Sequence, residues 1–316
     1  MTAKNKPYQD HVPLPDAVSN NWVDSYAPTT WRPWLKLMRV DRPIGCYLLY
    51  IPCLWAIGIG AMLERPFLDL FSMAILCLVG SFLTRSLGCV ANDLADRNID
   101  TKVARTKNRP LASGALGVGQ AIALLLLLGA LSLCLLTFLN QQAVIIALAS
   151  IPLILTYPWL KRVTSWPQVM LGLCMNWGFL VAWFGLELPQ ITAMILIFGG
   201  AVCWTIGYDT IYALQDREDD RLIGVHSTAL LAGDKPVMFV GLFYVAMVIM
   251  MVGGWWQLIG SASLIWLSPM MIHLLWQLAR INPHDPGTNL MLFKSNRQLA
   301  LLVMLPTFHG LFYQIT

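Results

Sequence analysis

The chain has 316 residues, of which 57% are hydrophobic and only 12% charged, with a mean hydropathy of +0.62 and a formal net charge of +4. Soluble domains carry roughly 25% charged residues. The 51 residues from Pro110 to Leu160 and the 44 from Pro236 to Ala279 contain no Asp, Glu, Lys or Arg. A spanning helix takes about 20 apolar residues, so each stretch holds two helices and a turn; a soluble globular protein, a disordered chain, a β-barrel and a nucleic-acid-binding role are all excluded.

Residues 1–30 form a polar tail with Pro7, Pro13, Pro15 and Pro28, ahead of a single membrane domain over residues 31–316. The tail has no apolar h-region, so it does not read as a secretory signal. Lys4 and Lys6 set against Asp10, Asp16 and Asp24 make a poor mitochondrial presequence. Trp31, Trp34, Leu35 and Met38 alternate with Arg32, Lys36 and Arg39. That pattern fits either a short helix lying on the membrane surface or an early start of the first span. The seven cysteines all sit in apolar segments and form no CxxC, so neither disulfides nor a zinc site is expected.

Cut at charges and turn residues, the apolar runs are 43–62, 68–91, 118–138, 141–157, 168–186, 190–212, 236–255, 258–279 and 298–315. The expected fold is an all-α membrane bundle of nine transmembrane helices, read as two related four-helix halves plus a ninth helix. Nine spans place nineteen of the twenty-one Lys and Arg residues on one side, with only Arg65 opposite and Arg85 inside the second span. The positive-inside rule makes that side cytoplasmic. Trp159 and Trp166 flank Lys161 and Arg162 as interfacial aromatics do.

Eight of the seventeen acidic residues fall in two clusters, each closing an apolar span at its cytoplasmic end. In the first, Asn92, Asp96 and Asp100 share one face if the helix continues. In the second, Asp216 and Asp220 are one turn apart, and Asp209 lies two turns earlier. Like charges at i, i+4 repel, and a divalent cation relieves that repulsion. Carboxylate oxygens suit Mg²⁺, which also bridges to substrate phosphates. Asp96, Asp100, Asp216 and Asp220 are the expected metal ligands. The clusters lie 120 residues apart, Asp96 to Asp216 and Asp100 to Asp220, which suggests a site between repeated halves.

Basic residues accompany the acids. Arg105 and Arg109 follow the first cluster, and guanidinium forks suit phosphate oxygens. Arg85, seven residues before Asn92, faces the same way, and an intramembrane Arg is a functional candidate by default. Lys161 and Arg162 come from another loop on the same side. Carboxylates for Mg²⁺ beside arginines for phosphate, at the mouth of a membrane bundle, fit a polyprenyl diphosphate: its chain in the lipid bilayer, its diphosphate at the interface.

These residues resemble a known family. Asn92-Asp93-x-x-Asp96-x-x-x-Asp100, followed by Arg105-Thr106-x-x-Arg109-Pro110-Leu111-x-Ser113-Gly114, is similar to the first signature of the UbiA-type intramembrane prenyltransferases. Tyr208-Asp209-Thr210 through Gln215-Asp216-Arg217-Glu218-Asp219-Asp220 is similar to the second. Arg39-Val40-Asp41-Arg42-Pro43-Ile44-Gly45, together with Tyr157-Pro158-x-x-Lys161-Arg162 through Pro167-Gln168, resembles the 4-hydroxybenzoate polyprenyltransferase branch. One departure is His226, where that branch usually has Lys.

The resemblance implies an enzyme of ubiquinone synthesis in a bacterial inner membrane, with its N-terminus and site cytoplasmic. It would join a polyprenyl chain to the ring carbon ortho to the hydroxyl of 4-hydroxybenzoate. Asn92, Asp96, Asp100, Asp216 and Asp220 would hold Mg²⁺ and diphosphate. Arg85, Arg105, Arg109 and Lys161 would grip phosphate, Arg39 or Arg162 the benzoate carboxylate, and Asp209 would orient neighbours or help remove the ring proton. Rival readings are the same fold with haem, homogentisate or dihydroxynaphthoate as acceptor, a transporter, and a CDP-alcohol phosphatidyltransferase. A transporter would carry its carboxylates at mid-span. The last family needs Gly after its first Asp, where this chain has Arg97.

Overall fold

The computed structural model describes residues 20–101, 106–160 and 162–315. All regular structure among them is helical: α1 (Trp22–Ser25), α2 (Arg32–Leu37), α3 (Ile44–Met62), α4 (Phe67–Asp100), α5 (Val118–Leu135), α6 (Gln141–Ala149), α7 (Ile151–Leu160), α8 (Pro167–Gly185), α9 (Ile191–Ala213), α10 (Arg217–Ile223), α11 (Thr228–Leu231), α12 (Pro236–Ile259), α13 (Ala262–Arg280), α14 (Pro286–Leu302) and α15 (Leu305–Ile315). Among the described residues, seven helices are long and apolar enough to cross a membrane: α3, α4, α5, α8, α9, α12 and α13.

The other two expected spans are broken. The run 141–157 is divided between α6 and α7 at Ser150, and the run 298–315 falls across α14 and α15, which part at Val303 and Met304. Each break lies just ahead of a proline, Pro152 and Pro306. Proline has no N–H to give the carbonyl four residues back, and its ring crowds that carbonyl. The N-terminal question is resolved as well. α2 is a separate short helix, and residues 38–43 divide it from α3.

The chain forms two compact units, residues 1–46 with 80–137 and residues 47–79 with 138–316. In the first unit, Leu37, Leu83, Val90, Leu111, Leu116, Ala121 and Leu128 form an apolar core, with Trp34, Leu87 and Leu94 packed on it. α2 presses Leu37 into this core and buries Lys36, whose ammonium reaches Asp24 of α1 at 2.8 Å. At 34 residues α4 is roughly 50 Å long, against a hydrocarbon layer of about 30 Å. Its last turns therefore carry the first acidic cluster past the apolar layer on an unbroken helix.

In the second unit, α12 runs closely along α9. Small residues permit the approach, as they do in other membrane bundles. A Cβ on Gly254 would come within 3.2 Å of the Ala193 carbonyl, and one on Gly200 within 3.4 Å of the Met247 carbonyl. Buried polar side chains fix the register. The Asn176 amide of α8 donates to Thr205 Oγ1 of α9 at 2.8 Å. Trp204 Nε1 donates to Asn296 Oδ1 of α14 at 2.8 Å, and Trp55 Nε1 of α3 to the Ala300 carbonyl at 2.9 Å. The Tyr244 hydroxyl of α12 meets Gln277 of α13 at 2.5 Å, and Gln277 reaches Ser295 of α14 at 2.9 Å.

Candidate active site

In the first unit, the ionic groups at the end of α4 are buried rather than solvated. Asp93, Asp96 and Asp100 are 1%, 2% and 5% exposed, while Asn98 on the opposite face and Arg97 at the edge of the acidic face are open to solvent. Asn92 is half-buried. Because α4 continues without a break, Asn92, Asp96 and Asp100 fall on one face, as the spacing predicts. Arginines sit among these acids. Arg109 Nη1 donates to Asp100 Oδ2 at 2.9 Å and to Asp93 Oδ1 at 3.3 Å. Arg39 Nη2 donates to Asp93 Oδ1 at 2.6 Å, and Arg39 Nη1 to the Lys36 carbonyl at 3.2 Å.

The segment between α2 and α3 makes this possible. Arg39 adopts φ 60°, the left-handed region that residues with a Cβ seldom enter. That turn brings Arg39, Asp41 and Arg42 inside, at 7%, 1% and 8% exposure. Asp41 and Arg42 pair with each other at 3.0 Å. A few residues on, Gly45 leaves room for Arg85, since a Cβ there would lie 2.8 Å from the Arg85 Cζ. Arg85 is half-buried.

Sequence reasoning passes over Asp93, Asp41, Arg42 and Gly45 as parts of this site. For Asp93 a signal exists, because it stands seven residues from Asp100, two helical turns away. Arg105 lies outside the described residues.

In the second unit, the acidic segment is built differently. α9 stops at Ala213, a single 3₁₀ turn covers Leu214–Asp216, and α10 runs only from Arg217 to Ile223 before Gly224 closes it at φ 71°. Placing Asp209 and Asp216 on one face presumes a continuous α-helix. Three residues at the 3₁₀ twist add roughly 60° to that register. Asp209, Asp216 and Asp220 are all half-buried. Arg217 pairs with the exposed Asp234 at 3.5 Å.

The loop beyond α10 is tied down. Thr228 N donates to Gln168 Oε1 at 3.1 Å, and the Thr210 and Thr228 hydroxyls share a 2.6 Å bond. Aromatic rings flank Asp209: Tyr208 lies edge-on to Trp204 at 5.0 Å, and Tyr212 lies 4.5 Å from Phe293. Arg162 is exposed, with its guanidinium 4.9 Å from the centre of the Trp159 ring. Lys161 lies outside the described residues, and His226 is exposed.

Residues 49–307 match the UbiA prenyltransferase family. The chain belongs to that family. Relatives agree along most of its length. The "4-hydroxybenzoate polyprenyltransferase, mitochondrial" of Rattus norvegicus is 39% identical over 299 residues, 92% of this chain and 78% of the relative. The protein of that name from Drosophila pseudoobscura pseudoobscura is 38% identical over 89% of this chain and 70% of the relative. The solved apo structure of a UbiA homolog from Aeropyrum pernix K1 superposes with a TM-score of 0.65 at 24% identity, covering 85% of this chain and 98% of that one. A UbiA homolog from Archaeoglobus fulgidus, described as bound to GPP and Mg²⁺, gives a TM-score of 0.65 at 18% identity, over 88% and 98% of the two chains. The UbiA fold is thus an all-helical membrane architecture here, and the chain is an integral membrane protein.

The family's metal can be checked against the side chains present. Among the described residues, no three His, Cys, Asp or Glu side chains come together as a metal-binding group. Mg²⁺ does not require such a cage. It keeps several waters and takes one or two carboxylates plus substrate phosphates. Asp96 and Asp100, one turn apart on α4, are a carboxylate pair of that kind, and so, taken by themselves, are Asp216 and Asp220 at the α10 junction; the chemistry of each pair fits.

Proposed function

We propose that this chain transfers a polyprenyl chain from polyprenyl diphosphate to the ring carbon of 4-hydroxybenzoate ortho to its hydroxyl, in ubiquinone biosynthesis. The observation carrying this is the shared name of curated relatives that are 37–48% identical over most of the chain. Both acidic signatures of the family, each at the end of an apolar helix, support it. Asp96, Asp100, Asp216 and Asp220 would hold Mg²⁺, with Asn92 beside them. The ion would supply Lewis-acid neutralisation of the leaving diphosphate.

The chain's own residues do the rest. Arg85, Arg105, Arg109 and Lys161 neutralise phosphate oxygens as charge gathers on them, which lowers the barrier to breaking the allylic C–O bond. The benzoate carboxylate is held by Arg39 or Arg162. Asp209 orients its neighbours or takes the ring proton, and the buried ring of Tyr208 and the half-buried ring of Tyr212 beside it keep water from the allylic cation. Two carboxylate clusters serve one diphosphate in this reading.

We infer further that the membrane is a bacterial inner membrane, with the N-terminus and site cytoplasmic. The nineteen-to-one division of Lys and Arg in the loops supports that sidedness. Cysteine at Lys107 should label only from the cytoplasm and cysteine at Arg65 only from outside; labelling of both from one side refutes the topology. The function is tested by incubating membranes with 4-hydroxybenzoate, a polyprenyl diphosphate and Mg²⁺ and weighing the product. A 3-polyprenyl-4-hydroxybenzoate is expected, and a prenylated product only with a different acceptor overturns the assignment.

A further inference from the structure

The Asp93 carboxylate is almost wholly buried, and its Oδ1 lies between two guanidinium groups, 2.6 Å from Arg39 and 3.3 Å from Arg109. Asp93 and Asp100 are two turns apart on α4, about 20° out of line, so both reach the same nitrogen of Arg109. That nitrogen, Nη1, is the only one that Arg109 spends on protein groups among the described residues. The side chain keeps 16% of its surface open. A planar guanidinium pinned at one corner has its remaining edge, Nε and Nη2, fixed in direction. Two donors on one edge match two oxygens of a phosphate.

The other half of the arrangement is costly. Arg39 sits in left-handed backbone with a long side chain, a conformation that persists only where tertiary contacts impose it. Its two terminal nitrogens go to Asp93 and to the Lys36 carbonyl. A buried Arg–Asp–Arg triad contributes little net stability compared with apolar packing. Its value lies in direction.

We propose that Asp93 is a positioning residue: it clamps Arg109 against α4, with Arg39 as the second counter-charge, so that the free edge of Arg109 is presented to the diphosphate of the prenyl donor. Asp93 then differs in task from Asp96 and Asp100, although it stands in the same motif. This rests on the transfer reading above.

The test uses the full chain in detergent or nanodiscs. Binding of geranyl diphosphate is measured by calorimetry in Mg²⁺, alongside turnover with 4-hydroxybenzoate. Asp93→Asn should weaken geranyl diphosphate binding roughly tenfold, about 1.4 kcal/mol, and raise the donor KM similarly. The Mg²⁺ concentration for half-maximal rate should not move. Arg109→Ala should weaken binding by 10- to 100-fold on the order expected for a lost charge-assisted bond. The double variant should bind no more weakly than Arg109→Ala alone, because the carboxylate acts through that arginine.

Additive losses overturn the proposal, as does a shifted Mg²⁺ requirement with unchanged donor affinity, which would make Asp93 a ligand. A lowered melting temperature with normal donor affinity would make it a structural strut. Should Asp93→Asn not fold, Asp93→Glu retains the charge one methylene longer. It should misaim Arg109 and weaken donor binding; normal affinity in that variant refutes the idea. A wild-type protein that binds geranyl diphosphate but prenylates no hydroxybenzoate sinks the acceptor assignment and leaves the Asp93 cycle readable.

Discussion

The two acidic segments carry similar residues on dissimilar frames. The first lies on an uninterrupted α4, with Asp93, Asp96 and Asp100 buried and Arg39 and Arg109 among them. The second lies across a 3₁₀ turn and a seven-residue helix, with Asp209, Asp216 and Asp220 half-buried. Burial with built-in counter-charges makes a rigid receptor whose donors are aimed in advance. Half-burial on a segmented frame leaves the side chains of Asp209, Asp216 and Asp220 partly in contact with water. The difference is one of desolvation: charges buried on α4 act on their partners in low dielectric, while half-buried charges are screened by water.

The sharpest way to break this comparison is to remove one carboxylate from each frame. Asp96→Ala and Asp216→Ala should each lower turnover by at least about a hundredfold while the protein still inserts into membranes. Activity retained by either variant at saturating Mg²⁺ would mean that the two clusters do not serve one reaction.

The acceptor clamp comes next. Arg39→Ala or Arg162→Ala should raise the hydroxybenzoate KM by roughly 10- to 100-fold, the size of one lost charge-assisted bond, with a smaller change for the donor. The frames predict which substitution also harms folding. Arg39→Ala strands a buried Asp93 carboxylate, whereas replacing the exposed Arg162 leaves no buried charge of that kind, its contact with Trp159 being at the surface. Steady-state kinetics paired with melting temperatures separate these outcomes.

Two glycines sharpen the contrast further. Gly45→Ala would drive a methyl group into the Arg85 guanidinium, so activity should fall about tenfold by the displaced charge. Gly224→Ala meets no neighbour within 4 Å and should cost only about 1 kcal/mol of left-handed backbone strain at the end of α10. The smallest effect belongs to Asp24. Its partial burial raises the carboxyl pKa, but hydrogen bonds from Lys36 and Asn21, with the nearby positive charges, hold it below the usual range. A carboxyl lowered on folding stabilises the protein above its unfolded pKa, and that contribution fades as pH falls through the folded value. Below about pH 4 the wild type should lose less than about 1 kcal/mol relative to its neutral-pH stability, and Asp24→Asn should not lose it. Melting curves from pH 3 to 6 decide the point.

Much of this architecture is legible along one dimension. Uncharged runs of 51 and 44 residues mark membrane segments, and Asn92, Asp96 and Asp100 at i, i+4 and i+8 announce the face that α4 presents. The broken spans are less visible, because hydropathy averages across Ser150 and Val303. Pro152 and Pro306 were the available warning. The pairing of Arg39 with Asp93 joins residues 54 apart through a left-handed turn with no Gly or Asn to flag it, and periodicity carries no trace of such a contact. The 3₁₀ turn at Leu214–Asp216 is equally silent, since its residues suit an α-helix.

The left-handed residue at position 39 also bears on attempts to toughen this protein. A search for thermostabilising changes looks first for non-glycine residues at positive φ, where glycine relieves strain. Arg39 is such a position. Glycine there would relax the backbone by about 1–2 kcal/mol but remove the side chain that balances Asp93, and stranding a buried carboxylate costs about 3–5 kcal/mol, so the rule of thumb reverses its sign at this position. Position 39 is therefore one to hold constant in any stabilised version made for crystallisation or drug screening, with the relief sought instead at Glu64, another residue of positive φ, which lies away from both acidic segments in sequence.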